Sequence, residues 1–145
     1  MTIHILRRAF HAESIEDFAE WQAERRKEMK ANGQKPKTRT MLRAFPTRKE
    51  ELLDGGSIYW IIKGSIRARQ RVLAIEQNPD PSSRRKCMIV LETKLTPTVP
   101  YPVRARRGWR YLEPNAVPPD LDNAGRGVDK LPANLAAELR ELGLL

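Results

Sequence analysis

The sequence is poor in the side chains from which metal and catalytic centres are usually built. Among 145 residues it has one cysteine, Cys87, and two histidines, His4 and His11. One cysteine cannot form a disulfide within the chain or a cysteine-based metal site, and no His-x-x-x-His spacing occurs. We therefore predict no metal site, an inert buried thiol at Cys87 and structural roles for both histidines.

Motifs that bind phosphate groups or activate a nucleophile are also missing. Gly55-Gly56 lies between a predicted helix and the strand that follows it, whereas the Walker and dinucleotide patterns run from strand to helix. Ser57, Ser65 and Cys87 have no base close by in sequence, although tertiary structure can supply one. The sequence favours a non-catalytic protein, leaves enzymatic activity open, and predicts no catalytic residue and no cofactor.

Long hydrophobic runs are absent from the sequence. No stretch approaches the roughly 20 apolar residues of a membrane span. The N-terminus, MTIHILRR, has no cationic segment ahead of a long apolar stretch and does not resemble a secretory signal. We expect a bacterial cytoplasmic protein without membrane association, of a length that suits one domain.

Acidic residues are outnumbered by basic ones, which gives a net charge of +9. The excess is concentrated: residues 55–112 hold 12 Lys and Arg against 3 Asp and Glu, whereas residues 1–54 hold 12 against 9 and residues 113–145 hold 3 against 6. Such a distribution is expected of a basic binding face and is typical of ribosomal and other RNA-associated proteins. It favours a nucleic-acid partner.

Two consecutive strands are predicted in this basic middle part, at residues 57–63 and 66–75. The first is rich in β-branched and aromatic residues, lies between glycines, and is so continuously apolar that we expect burial on both faces. Val72–Glu76 of the second strand and Cys87–Glu92 are predicted to form an antiparallel hairpin.

The second of these strands carries a row of arginines. Because side chains alternate along a strand, Arg67, Arg69 and Arg71 project to one side, roughly 7 Å apart, which is close to the phosphate spacing of a nucleic acid. Arginine also binds oxyanions through a planar, bidentate fork. The alternative is a solvated face, or salt bridges to the acidic first helix and the C-terminal segment.

The remaining pattern predicts an α+β fold. We expect a small, mainly antiparallel, barrel-like sheet of five or six strands, flanked by helices at about residues 14–31, 47–54 and 133–142. Ser14 and Thr47 are the predicted N-terminal caps of the first two helices, the latter in a capping box with Glu50. Residues 1–121 would form one domain, and residues 122–145 a linker and a C-terminal helix that packs on it or on a partner.

Several other strands have more ambiguous patterns. Residues 2–6 alternate weakly, with Ile3 and Ile5 expected to face inward. Lys37 and Arg39 belong to a basic stretch that is either a solvated edge strand or a nucleic-acid contact. Residues 96–102 contain three prolines and cannot form a central strand.

Aromatic residues make up only 6% of the chain, and two of them alternate with arginines. Trp109 and Tyr111 share one face of a short predicted strand, where they either fill the core or stack an unpaired base. The same two alternatives apply to Tyr59 and Trp60, but the neighbouring arginines favour Trp109 and Tyr111 as the exposed pair. The complete set of predicted nucleic-acid contacts is Arg48, Lys63, Arg67, Arg69, Arg71, Arg104, Arg106, Arg107, Trp109, Arg110 and Tyr111.

Three runs of the sequence resemble a family of short, basic alphaproteobacterial proteins known only as a domain of unknown function. They are residues 51–64 (ELLDGGSIYWIIKG), residues 67–71 (RARQR), and residues 108–112 (GWRYL) followed by PPDL at 118–121. The resemblance covers roughly residues 1–121 and implies no activity and no catalytic residue.

A looser similarity is to PUA-like barrels, which bind RNA or modified bases. In these barrels a short helix ends in glycine, enters a strand, and a second strand follows, as residues 48–69 are arranged here. The similarity implies a ligand cleft near Arg48, Lys63 and Arg67.

The function that we expect from these observations is non-catalytic RNA binding through an Arg-rich β face, with ribosomal or otherwise structured RNA favoured over other nucleic acids. Two alternatives remain open. One is a protein-interaction adaptor that holds an acidic partner, and the other is a PUA-like domain that binds a modified nucleotide. The sequence does not determine the oligomeric state.

Overall fold

The computed structural model describes residues 1–10, 12–104 and 108–121. Within these ranges the chain forms seven strands, two α-helices and one short 3-10 helix. In chain order they are β1 (His4–Arg8), α1 (Ile15–Ala31), β2 (Thr38–Leu42), α2 (Lys49–Leu53), β3 (Ser57–Ile62), β4 (Ser65–Gln77), β5 (Cys87–Leu91), β6 (Thr96–Pro102), β7 (Trp109–Leu112) and the 3-10 helix Pro114–Ala116. The predicted helix at 133–142 lies outside the described residues.

The seven strands form one mixed, mostly antiparallel sheet in the order β2-β5-β4-β3-β1-β7, with β6 paired to β4. Only β1 and β3 are parallel. The prediction of a small α+β protein is confirmed, whereas the prediction of a barrel-like sheet is wrong: the sheet is not closed. No strand pairing joins β1 to β2 in the described part of the chain.

The open side of the sheet is bridged by a side chain. The Arg7 guanidinium on β1 donates through Nη1 to Thr40 Oγ1 at 2.7 Å and to the Met41 carbonyl at 2.8 Å, both on β2. Because β1 and β2 are separated by three strands in the sheet order, the sheet must curl strongly to bring them this close. An arginine side chain holds two strands farther apart than the 4.7–4.9 Å of a backbone ladder, so a gap remains between them.

β3 and β4, the two consecutive strands that were predicted, pair as an antiparallel hairpin. Its two-residue turn has positive φ at both positions, 51° at Lys63 and 77° at Gly64, as a type I′ turn requires. All six residues of β3 are buried. Alternate residues belong to two different apolar clusters, with Trp60 on the side of α1 and Tyr59 on the opposite side, so the predicted burial on both faces is confirmed.

Both β5 and β6 run antiparallel to the long strand β4. β5 pairs with the C-terminal half of β4, which confirms the predicted hairpin, and β6 pairs with its N-terminal half. Beyond β4, β6 has only an isolated bridge from Thr98 to Asp120. Its three prolines lack the N–H groups that a central strand needs, and an edge position tolerates them.

α1 covers one face of the sheet. Ser14 caps it, with its side-chain oxygen accepting from the Asp17 amide at 3.1 Å, as predicted. Phe18, Gln22 and Met29 are buried beneath the helix. The helix therefore presents an aromatic, an amide and a thioether to the inner face of the sheet.

α2 begins two residues later than predicted and has no capping box. Arg48 occupies the cap position without a side-chain cap bond, and the Thr47 hydroxyl lies 3.3 Å from the Tyr111 hydroxyl instead. After α2 the chain passes very close to β1: a Cβ on Gly56 would lie 2.3 Å from the Ile3 carbonyl oxygen. Glycine is required there by this close approach and not by its φ.

Candidate anion-binding pocket

The predicted arginine row exists as an alternation, but its three members have different surroundings. Residues between them on β4 are buried, and the arginines share the other side. Arg67 is half-buried and donates from Nε to the Ile62 carbonyl at 2.9 Å. Arg71 is exposed. The row therefore does not present three equivalent guanidinium groups.

Arg69 forms a bidentate ion pair with Asp120. Its Nε and Nη2 donate to the two carboxylate oxygens at 2.7 and 2.8 Å. The pair lowers the pKa of Asp120 and raises that of Arg69, chiefly through these hydrogen bonds. For Arg69, the structure therefore agrees with the alternative prediction, a salt bridge to the C-terminal segment. The ion pair also attaches the segment around Asp120 to the sheet.

Arg48 and Tyr111 belong to another ion-pair cluster. The Arg48 guanidinium donates from Nη2 to Glu51 at 2.9 Å and from Nη1 to Glu113 at 3.4 Å, and it lies 5.4 Å from the centre of the Tyr111 ring. Hydrogen bonding to Arg48 lowers the pKa of Glu51. The Tyr111 hydroxyl accepts from the Arg48 amide at 3.1 Å, so both side chains are engaged by their own neighbours.

The other predicted contacts lie on different parts of the surface. Trp109 shares a face with Tyr111, as predicted, with ring centres 5.1 Å apart, and it packs against the core. Lys63, Arg104 and Arg110 are exposed, and Arg106 and Arg107 are not among the described residues. That these residues contact nucleic acid stays a prediction. None of the predicted contacts lines the pocket described next.

A pocket of about 590 Å³ lies in the gap between β1, α1 and β2. The PUA-like similarity had implied a cleft elsewhere, near Arg48, Lys63 and Arg67. The floor of the pocket consists of side chains that are buried, and its rim carries exposed or half-exposed cations. The floor includes Arg7, Phe18, Gln22, Met29, Thr38 and Trp60, and the rim cations are Arg8, Arg25, Lys37, Arg39 and Arg85.

The charge around this basic pocket is strongly unbalanced. Among the residues that the structure describes, six cationic side chains line it, and Glu28 is the one carboxylate in that lining. Glu28 pairs with Arg25 at 3.4 Å, and Lys37 pairs with Glu76 at 3.8 Å outside the pocket. The four other cations, Arg7, Arg8, Arg39 and Arg85, form no ion pair with a described carboxylate. The positive potential is therefore focused on the pocket.

Arg7 is the most unusual of these cations because it is only 9% exposed. Its Nη1 bonds to neutral oxygens of β2, and no described carboxylate neutralises it. Burial, with a smaller contribution from the nearby charge of Arg85, lowers the pKa of Arg7 to about 10. A buried guanidinium with cationic neighbours and no counter-ion is electrostatically incomplete and favours a bound anion.

A buried amide network fixes the floor of the pocket. The Gln70 side chain, which is fully buried on β4, exchanges two hydrogen bonds of 2.9 Å with Gln22 of α1. The same Gln70 carbonyl oxygen accepts from Trp60 Nε1 at 3.0 Å. Because all three groups satisfy one another, α1 and the tryptophan are held in fixed positions on the sheet.

Aromatic rings adjoin the basic groups in this pocket. The Phe18 and Trp60 rings meet edge to face at 4.8 Å, and Trp21 lies parallel to Phe18 at 6.0 Å. The guanidinium of Arg25 lies 5.1 Å from the centre of the Trp21 ring, and Arg8 lies 5.5 Å from that of Phe10. The pocket thus combines apolar walls with positive charge, which suits an organic anion.

Arg7 was not predicted as a site residue, although the alternation of β1 indicated that its side chain faces inward. Ile3 and Ile5 were predicted to face inward, and Arg7 continues the same alternation. A charged residue at an inward position of an apolar strand marks a potential site. The predicted strand ended at Leu6, one residue before this arginine, whereas β1 extends to Arg8.

The fold and pocket together define a small α+β protein with a basic, aromatic-walled pocket on an open mixed sheet. The chain belongs to the family described as "Protein of unknown function (DUF1489)", which matches residues 5–145. The match extends past residue 121, where the resemblance found in the sequence ended. No curated protein and no solved structure matches the chain.

Neither helix of the described part combines the length and the apolar character needed to cross a membrane. Within the same residues, no three His, Cys, Asp or Glu side chains are grouped so that they could hold a metal ion. Cys87 is fully buried, which raises the pKa of its thiol.

Proposed function

We propose that this protein is a non-catalytic RNA-binding protein and that the basic pocket and its rim hold the RNA. The observation that carries the proposal is the set of four cations, one of them buried, that face the pocket without a carboxylate partner among the described residues. Polyanions are the ligands that such a concentration of positive charge attracts most strongly.

The types of residue favour nucleic acid over a simple inorganic anion. All four of these cations are arginines, whose planar forks bind phosphate oxygens bidentately and stack on aromatic planes. Phe10 lies on the rim and is 48% exposed, so that an unpaired base can stack beside it. This interleaving of aromatic and basic groups was predicted around Trp109 and Tyr111, and the pocket offers a second instance of it.

Single-stranded or looped regions of RNA fit this site better than a duplex. A concave pocket whose floor consists of buried side chains does not match the regular surface of a double helix, whereas an unpaired nucleotide can enter it. Structured RNA, which includes ribosomal RNA, presents such loops and ends. We therefore keep structured RNA as the proposed target.

The salt dependence of RNA affinity tests the proposal. Each phosphate neutralised on a single strand contributes about −0.7 to the slope of log K against log salt. Four unpaired cations should therefore give a slope of about −3 for a single-stranded oligomer, measured by fluorescence anisotropy at several KCl concentrations. The double variant Arg8→Gln/Arg85→Gln, which removes two rim charges, should reduce the magnitude of the slope by about 1.4.

Two charge-matched variants make this experiment decisive. Lys49→Gln/Lys94→Gln removes two exposed charges that lie outside the pocket and should leave the slope nearly unchanged. Arg71→Gln/Arg110→Gln removes two contacts that were predicted from the sequence. If this last variant alters the slope and the rim variant does not, RNA binds the arginine row and not the pocket. If RNA affinity does not change with salt concentration or in any of these variants, the proposal is wrong.

A further inference from the structure

The burial of Arg7 restricts which part of an RNA can reach it, because this side chain is only 9% exposed. The other side chains of the floor are also buried, whereas the rim cations are exposed or half-exposed. A strand that continues in both directions would need an entrance and an exit, whereas a strand end can enter through one opening. Arg7 is therefore more accessible to a terminal group than to an internal phosphodiester.

The guanidinium of Arg7 still has hydrogen-bonding capacity for such a group. In its hydrogen bonds to described residues, Nη1 is the only donor. No fully buried side-chain nitrogen or oxygen in the described part of the chain lacks a hydrogen-bond partner, which agrees with Nε and Nη2 facing the pocket that Arg7 lines. These two nitrogens form the edge of the fork that binds two oxygens of one phosphate.

The local charge favours a doubly charged anion. Arg7 and Arg85 line the same pocket, and the charge of Arg85 adds to the effect of burial that lowers the pKa of Arg7. A phosphodiester carries one negative charge, whereas a phosphomonoester carries about −1.5 to −2 near neutral pH. The monoester neutralises both arginines, and a single charge does not.

We propose that the basic pocket binds a terminal phosphomonoester, with Arg7 and Arg85 on the phosphate and the aromatic wall beside the attached nucleoside. This inference rests on the proposed RNA-binding function and specifies its target as the phosphorylated end of a strand. The volume of about 590 Å³ lies within the range of nucleotide-sized ligand sites. A free mononucleotide carries the same group, and the experiment separates the two sources.

The test compares short single-stranded RNA oligomers that differ only at one end. Four oligomers of one sequence carry a 5′-phosphate, a 5′-hydroxyl, a 3′-phosphate or a 3′-hydroxyl, each with the fluorophore at the opposite end. The full chain should bind one phosphorylated end about tenfold more tightly than the matching hydroxyl end, because a charge-assisted bidentate contact is made or lost. Arg7→Gln should abolish this preference, and Arg7→Lys should restore it only in part.

Arg7 also bridges β1 and β2, so its replacement affects the fold as well as the pocket. A second variant, which leaves this bridge intact, is therefore needed. Arg85 is exposed on the rim, and Arg85→Gln should reduce the preference by about threefold without loss of structure by circular dichroism. The matched control, Lys49→Gln on α2, should retain the full preference.

Each outcome has a defined consequence. Equal affinity for phosphorylated and hydroxyl ends, with strong RNA binding, overturns this inference and leaves the proposed function intact. No binding of any oligomer overturns the proposed function. If nucleoside monophosphate then quenches tryptophan fluorescence in the wild type and not in Arg7→Gln, the phosphate site belongs to a free nucleotide and the RNA-end proposal is wrong.

Discussion

Removal of the Asp120 carboxylate should weaken folding and leave RNA affinity unchanged. Two hydrogen bonds of 2.7 and 2.8 Å join it to Arg69, and the two side chains are 23% and 27% exposed. A hydrogen bond to a charged group contributes about 1.5–3 kcal/mol when buried, and an exposed ion pair about 0.2–1 kcal/mol. At this intermediate exposure we expect about 1–2 kcal/mol, which lowers Tm by about 3–8 °C in a domain of this size.

A double-mutant cycle measures this coupling directly. The free energy of unfolding in urea would be determined for the wild type, Asp120→Asn, Arg69→Met and the double variant, with circular dichroism as the signal. The control cycle uses Lys27 and Glu24, an exposed pair on α1 at 3.5 Å, for which we expect about 0.5 kcal/mol or less. A coupling for Arg69 and Asp120 no larger than that of the control would refute the structural role. So would an Arg69→Met variant that loses RNA affinity while its stability is unchanged.

Two further predictions concern acid and the core. Because Arg69 lowers the pKa of Asp120, the stability from this pair is complete above about pH 4, the unfolded value, and is lost as the pH falls through the lower folded value. Urea denaturation between pH 5 and 2 should therefore show a steeper loss for the wild type than for Asp120→Asn, and parallel curves would contradict the assignment. Gln70→Leu should cost about 2–4 kcal/mol because it leaves the amide of Gln22 and the N–H of Trp60 buried without a partner. The Gln22→Leu/Gln70→Leu variant should recover part of that loss in the same assay, and equal stability of the wild type and Gln70→Leu would show that the network contributes nothing.

The local elements of this fold could be predicted because their signals are local. The hairpin of β3 and β4 follows from an apolar run between glycines and from an alternating strand, and the start of α1 follows from the serine that caps it. The prolines of β6 correctly indicated an edge strand. Each of these inferences depends on residues within a few positions of one another.

The closure of the sheet and the partners of the arginines could not be predicted in this way. Whether a curled sheet closes depends on the distance between strands that are far apart in sequence, here β1 and β2. Asp120 is 51 residues from Arg69, and no local pattern indicates that they meet. The predicted cap at Thr47 is wrong for a similar reason, because the Thr47 hydroxyl lies beside the hydroxyl of Tyr111, which is on a strand distant in sequence.

The same limits apply to the site. Charge counts place the excess of positive residues in the middle of the chain, and the contacts predicted there stay a prediction. The cations of the pocket come mostly from elsewhere: from β1, from α1, from the stretch around Lys37 and Arg39 and, with Arg85, from the segment before β5. Composition by segment cannot detect a cluster whose members come from four segments.

On the proposed function, one side chain would serve both the architecture and the ligand. Arg7 joins β1 to β2 through one nitrogen, and its two other nitrogens would be available to an anion. An anion in the pocket would supply a counter-charge beside this contact, so ligand binding would also stabilise the fold. Without a ligand the contact between β1 and β2 would be weaker, so Tm would depend on whether the pocket is occupied.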